Sequence, residues 1–118
     1  MINNISIRRP IAEDGSRLFN LIAHCPPLDT NSRYCNLLQC CHFSDTSAAA
    51  ERDGHLVGFA SGHLIPKHPD TLFIWQVAVS ESARGEGLAS RMIDQILRRS
   101  QCQSVRWIET TVTPDNKA

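Results

Sequence analysis

Neither sign of charge is in excess in this chain: 12 Lys and Arg balance 12 Asp and Glu, a formal net charge of zero at pH 7. A neutral protein exerts no global pull on nucleic acid or an anionic membrane, so small or local partners are expected. Also missing is any apolar run near the roughly 20 residues that a membrane-spanning helix needs. The opening Met1-Ile2-Asn3-Asn4-Ile5-Ser6-Ile7-Arg8-Arg9 alternates too early and too polarly for a signal peptide. A cytoplasmic location is therefore expected. The cysteines Cys25, Cys35, Cys40, Cys41 and Cys102 are odd in number and contain no Cys-x-x-Cys pair. That spacing argues against a disulfide framework and against structural zinc, leaving reduced, mostly packed thiols and no metal. The histidines His24, His42, His55, His63 and His68 share no spacing that points to a common site. Repeats and low-complexity segments are absent.

What remains is one domain, residues 1–118, with the 42% hydrophobic and 20% charged content of a globular protein. Ile5 and Ile7 alternate with polar neighbours and predict a short strand. From Asp14 to His24, Leu18, Phe19, Leu21 and Ile22 fall at helical spacing, with Asp14 or Ser16 available as cap, and Cys25-Pro26-Pro27 stops the helix. A second helix is expected after Asp29-Thr30-Asn31-Ser32, carrying Tyr34, Leu37, Leu38 and Cys41 on one face. Ser47 to Glu51, Asp53-Gly54 and His55 to Leu64 read as a β-hairpin. Pro66 to Asp70 breaks the pattern, and Thr71 to Val79 follows as a central strand with Trp75 in its middle. Leu88, Ala89, Met92, Ile93, Ile96 and Leu97 form the apolar stripe of a third helix. Val105 to Val112 reads as a strand, and Thr113-Pro114-Asp115-Asn116 as the start of a helix that the sequence does not continue. The chain reads as a fragment.

Between the Trp75 strand and the third helix lies Gln76-Val77-Ala78-Val79-Ser80-Glu81-Ser82-Ala83-Arg84-Gly85-Glu86-Gly87-Leu88-Ala89. A glycine-bearing turn that opens a helix is suited to hold a phosphate. The first helical amides have no partner, the helix dipole adds partial positive charge, and Gly85 and Gly87 let a pyrophosphate approach the backbone. The Rossmann and Walker patterns are both incomplete here, since Ser90 stands at the third Rossmann glycine and no Gly-Lys-Ser/Thr follows. By itself the turn could equally be a helix cap with an arginine in solvent.

Arg84-x-x-Gly87-x-Ala89 after Val77-Ala78-Val79 resembles the acetyl-CoA signature of the GNAT superfamily of N-acetyltransferases. The order strand, helix, helix, hairpin, strand, glycine turn, helix, strand is similar to that α/β (α+β) fold through its fifth strand: a mixed central sheet flanked by helices, with the last helix and strands missing. Three longer stretches narrow the resemblance: Pro26 to Cys35, Pro69 to Val79 and Glu109 to Asn116. They are similar to the diaminobutyrate acetyltransferases, the branch that serves ectoine synthesis and osmoprotection. Asn36 departs from that pattern, standing where an aromatic residue is expected.

The resemblance implies transfer of acetyl from acetyl-CoA to the γ-amine of L-2,4-diaminobutyrate. It implies cofactor contacts from the Val77 to Val79 backbone, from the amides of Arg84, Gly85, Glu86, Gly87, Leu88 and Ala89, and from Asn116. A splayed bulge in the Trp75 strand would aim a backbone N–H at the thioester carbonyl. A homodimer is implied as well. The substrate pocket needs acids for ammonium groups and a donor for a carboxylate, which makes Asp29, Tyr34 and Trp75 candidate substrate-binding residues. Glu109 is the candidate base, with Trp75 and Trp107 expected to desolvate it and raise its pKa. Each has an ordinary alternative: Asp29 a helix cap, Tyr34 and Trp75 core aromatics, Glu109 a surface carboxylate. Two other functions stay open, a GNAT-type enzyme for another small or peptide amine and a non-catalytic acyl-CoA-binding fragment.

Overall fold

The computed structural model describes residues 4–25, 32–99 and 102–110. They form β1 (Ser6–Arg8), α1 (Asp14–Ala23), α2 (Arg33–Cys41), a 3-10 turn (Ser44–Thr46), β2 (Ala48–Arg52), β3 (His55–Ile65), β4 (His68–Val79), a second 3-10 turn (Glu81–Ala83), α3 (Leu88–Leu97) and β5 (Trp107–Thr110). The strands make one mixed sheet in the order β1-β2-β3-β4-β5. The first three pairings are antiparallel and β4 with β5 is parallel. That change of sense follows from the connection, because a helical crossover such as α3 returns the chain in the direction it left.

Strand alternation gives the sheet two apolar faces. On one, Ala48, Ala50, Leu72 and Ile74 meet Leu88, Met92 and Ile96 of α3, all buried. On the other, Ala49, Phe59 and Ala78 meet Leu18, Leu21 and Ile22 of α1. The run of alanines in β2 and Gly58 in β3 let α3 lie close: a Cβ on Gly58 would sit 2.9 Å from Leu88 Cδ2 and 3.3 Å from Met92 Cε. The β2–β3 turn is carried by Asp53 (φ 52°) and Gly54 (φ 81°), two successive left-handed residues whose twist matches the flanking strands.

One buried ion pair ties β1, α1 and β2 together. Asp14 has no exposed side-chain surface and takes two hydrogen bonds from Arg8, from Nη1 at 2.7 Å and Nη2 at 3.0 Å. It also accepts from the Ile11 N–H at 2.8 Å and from Arg17 Nη1 at 3.2 Å, while Arg8 Nη2 reaches Glu51 at 2.9 Å. Burial would raise the Asp14 carboxyl, but the Arg8 hydrogen bonds, the Ile11 amide and the nearby positive charges outweigh it and hold the group below the usual carboxylate range.

Three local expectations are corrected. Neither Asp14 nor Ser16 caps α1: Glu13 occupies the flanking position without a side-chain hydrogen bond, because Arg8 and Ile11 engage the Asp14 carboxylate. The second helix starts after Ser32 as expected, with Ser32 Oγ accepting from Cys35 N–H at 3.0 Å, but its buried side is the opposite one. Tyr34, Leu37 and Cys41 are exposed, whereas Asn36, Gln39 and Cys40 are buried. α2 packs against α1 and the first 3-10 turn, so its inward side is set by that neighbour and admits polar groups. Finally, β4 begins at His68, three residues earlier than Thr71, since Pro66-Lys67 makes a turn that Pro69 does not disrupt.

Candidate active site

β4 is irregular at its centre. Ser61 of β3 partners Gln76, but the next residue, Gly62, partners Ile74, leaving Trp75 as an extra residue in β4. Such a bulge bends its strand and re-aims the local backbone. It lies where the described β4–β5 ladder stops, at Ile74 opposite Thr110, whose Oγ1 donates to the Ile74 carbonyl at 2.9 Å. A bulge in this strand is thus present, at Trp75 and so before the Val77 to Val79 stretch, with Trp75 itself 37% exposed.

Beyond Val79 the chain turns into the glycine segment. Gly85 (φ 83°) and Gly87 (φ 70°) are both left-handed, and a Cβ on either would meet nothing within 4 Å. Glycine is needed here for backbone conformation, and the surrounding space is open to a ligand. Gly87 flanks α3 without a side-chain cap, so no capping side chain occupies the helix N-terminus. Leu88 is buried in the α3 core, so its side chain is closed to this open space.

Two charged residues of the turn are already engaged. Arg84 Nε donates to the Val79 carbonyl at 3.1 Å, fastening the turn to the end of β4. Glu86 is held by Arg52 Nη2, which reaches both carboxylate oxygens at 3.0 Å. Arg52 also donates to the Ser82 carbonyl at 3.4 Å. A bare carboxylate in a diphosphate cradle would repel its ligand, and the guanidinium offsets that charge. The sequence offered no signal for Arg52, which lies 34 residues before its partner.

Glu109 sits on β5 opposite Phe73, on the same side of the sheet as Trp107, as alternation predicts. All four β5 residues are exposed, Trp107 at 65%, so among the described residues neither tryptophan desolvates the carboxylate. On the same face, His63 lies between Phe43 and Phe73 with ring centroids 5.3 and 5.6 Å away. Tyr34 projects from the first turn of α2, 69% exposed. Bulge, β5 register and glycine turn bring Trp75, Val77, Val79, Glu109 and Arg84 to Ala89 to the two neighbouring strands and the turn that continues β4. Asp29 and Asn116 lie outside the described residues. Among those residues, no group of three or more His, Cys, Asp or Glu is placed to hold a metal ion. None of their helices is long and apolar enough to cross a membrane.

A bulged strand leading through an uncapped glycine turn into a helix, beside a parallel fifth strand, is the layout of an N-acetyltransferase. The acetyltransferase (GNAT) family model matches residues 16–118, and the chain belongs to this family. It is 58% identical over 114 residues to an L-2,4-diaminobutyric acid acetyltransferase of Methylotuvimicrobium alcaliphilum, covering 97% of this chain and 66% of the relative. It is 52% identical over 111 residues to the enzyme of that name from Vibrio parahaemolyticus, covering 94% and 61%. The chain therefore spans just under two thirds of the length of these curated relatives. Among solved structures, the diaminobutyrate acetyltransferase of Paenibacillus lautus, in complex with its substrate L-2,4-diaminobutyric acid and coenzyme A, superposes with a TM-score of 0.91 at 46% identity, covering 95% of this chain and 68% of that one. Ard1 of Thermoplasma volcanium, at 21% identity and TM-score 0.79, shares the fold.

Proposed function

We propose that the protein to which this chain belongs transfers acetyl from acetyl-CoA to the γ-amine of L-2,4-diaminobutyrate, in the synthesis of ectoine. The observation that carries this reading is the close superposition on the Paenibacillus lautus enzyme, whose structure holds that diamino acid and coenzyme A. The open cradle around Gly85 and Gly87 fits the cofactor independently, because the positive-φ backbone there is surrounded by free space and opens an uncapped helix N-terminus. Acetyl-CoA supplies the acetyl group as a thioester: the amine nitrogen forms the amide bond, the carbon–sulfur bond breaks, and coenzyme A leaves as thiol.

On this reading the amides from Arg84 to Ala89 hold the diphosphate and the β4 backbone between Val77 and Val79, just past the bulge, faces the acyl carbonyl. Glu109 takes the proton that the ammonium must lose before it can attack. Trp75 and Tyr34 line the acceptor side, Asp29 binds an ammonium group, and Asn116 contacts the pantetheine arm. We read residues 1–118 as a single acetyltransferase domain of a cytoplasmic protein, a location supported by its free thiols. Homodimerisation is the expectation carried by the resemblance, to be measured by sedimentation.

The test supplies acetyl-CoA with L-2,4-diaminobutyrate, ornithine, lysine or a peptide amine and follows thiol release and the position acetylated. Preference for the γ-amine of diaminobutyrate supports the proposal. Equal rates on all acceptors would refute it in favour of a general amine acetyltransferase, and binding without thiol release would favour a non-catalytic module. Glu109→Gln is expected to lower kcat by about 100-fold at neutral pH, with partial recovery at high pH where the amine is already neutral. An unchanged pH profile would remove Glu109 from the role of base.

A further inference from the structure

The bulge at Trp75 faces a built feature that the acetyl-transfer reading leaves unused. The last pair of the β2–β3 ladder is Ala48 with Ala60. Two residues further along β3, Gly62 is met by side chains. Thr46 Oγ1 donates to its carbonyl at 2.5 Å and Ser47 Oγ accepts from its N–H at 3.2 Å. Both hydroxyl residues are buried, Ser47 completely. Gly62 is also hemmed in by backbone, since a Cβ there would lie 3.0 Å from both the Thr46 and Phe73 carbonyl oxygens. Gly62 is thus gripped by the first 3-10 turn on one side and pressed by β4 on the other, at the step where β4 gains its extra residue.

The grip continues to α3. Arg99, two residues past the end of that helix, donates through Nη1 to the carbonyls of Ser44, at 3.3 Å, Asp45, at 3.1 Å, and Ser47. A helix of ten residues is a rigid rod of about 15 Å. Its N-terminus opens the glycine cradle, and its C-terminal end holds the turn that grips Gly62. From this we infer that Thr46, Ser47 and Arg99 are positioning residues: they lock the β4 bulge to the α3 helix, so that the β4 backbone running on from the bulge to Val77 and Val79, which faces the acyl carbonyl, and the amides holding the diphosphate move as one unit. The inference rests on the acetyl-transfer reading for its catalytic consequence and on geometry alone for the lock itself.

Thr46→Val keeps the shape of the side chain and removes the donor. With the full chain, kcat is expected to fall by about 10- to 100-fold, the effect of misplacing a reacting group by an ångström or less. The dissociation constant for coenzyme A should stay within about twofold, because the cradle amides are untouched. Thr46→Ser, which retains the hydroxyl, should restore most of the rate. A readout independent of turnover is the backbone amide resonance of Trp75 in protein labelled with 15N-tryptophan, assigned by its absence from Trp75→Phe. It should shift in Thr46→Val and return in Thr46→Ser. Arg99→Met, which removes the Nη1 donor shared by the three carbonyls, should shift the same resonance and serves if Thr46→Val does not fold. An unmoved resonance in the folded variants, or equal loss of kcat in Thr46→Ser and Thr46→Val, would overturn the inference. Wild-type protein that releases no thiol would sink the acetyl-transfer reading while leaving the resonance test of the lock intact.

Discussion

At the scale of the residue, Asp14 shows how far burial changes what a side chain does. In sequence it is one of two candidate helix caps; in the fold it is the fully buried acceptor for Arg8, Arg17 and the Ile11 amide. Because its folded pKa is depressed, its contribution to stability is present above the ordinary value of 3.8 and is lost as pH falls through the folded value. Asp14→Asn should destabilise the protein by about 2 kcal/mol near neutral pH, since it removes the charge that the half-buried Arg8 binds and leaves it Glu51. It should also flatten the acid limb of stability below pH 4. Urea unfolding of both proteins across that range checks the magnitude and the sign together. The cysteines follow the same logic. Burial, with Asp14 and Cys41 adding to it, pushes the Cys40 thiol up to about 12, whereas Cys41 beside it is exposed. The inert thiol and the accessible one are adjacent in sequence and differ only in the side of α2 they occupy.

Among the elements, the glycine turn and the end of β2 form one working unit. Arg52 neutralises Glu86 and is bound to the Ser82 carbonyl, so the hairpin that carries Arg52 fixes the turn from outside. Both side chains are partly exposed, which limits the pair's worth to folding to about 1 kcal/mol or less. On the proposed reading binding is another matter, because an uncompensated carboxylate would face a diphosphate. Arg52→Ala is expected to raise KM for acetyl-CoA by about tenfold with kcat little changed, and Arg52→Ala/Glu86→Ala together to recover most of it. If the double variant is as weak as the single one, repulsion is not the cause.

α2 is the element whose sequence misleads. Its apolar periodicity points to Tyr34, Leu37, Leu38 and Cys41, yet three of those four are exposed and Asn36 and Gln39 are inside. Periodicity reports which side could be buried; the neighbour decides which side is. Where the neighbour is a whole sheet face, as for α3, the two agree, and Leu88, Met92 and Ile96 are buried as expected. α2 meets chiefly another helix, and the Asn36 backbone lies 4.0 Å from where a Cβ on Gly15 of α1 would sit.

Across the molecule, stability is unevenly spread. β3 and β4 share the longest pairing and contribute to both apolar clusters, while β5 is an edge strand of four exposed residues. In the 118-residue chain, amide exchange should be slowest in β3, β4 and α3 and fastest in β5, where opening disrupts few buried contacts. Mass-spectrometric exchange at peptide resolution tests this order, and β5 protection equal to that of β4 would contradict it. Among the described residues the same exposure explains why the tryptophans near Glu109 in sequence do not desolvate it: on this strand, alternation assigns a face and no described residue covers it.

Local chemistry was readable from the chain alone. Asp53-Gly54 demands a left-handed turn, Gly85 and Gly87 demand an open backbone before a helix, α2 starts after Ser32, and the stripe of α3 requires a sheet beneath it. These depend on the conformational limits of single residues and on short periodicities, which sequence order expresses directly. The resemblance carried by the glycine turn and three flanking stretches led to the family. Tertiary structure alone decided which side of α2 is inward, that Asp14 pairs with Arg8, that Arg52 neutralises Glu86, and that Thr46, Ser47 and Arg99 converge on Gly62 opposite the bulge. Each joins residues far apart in the chain, and charge or hydroxyl character is too common in sequence to name its partner until the fold closes the distance.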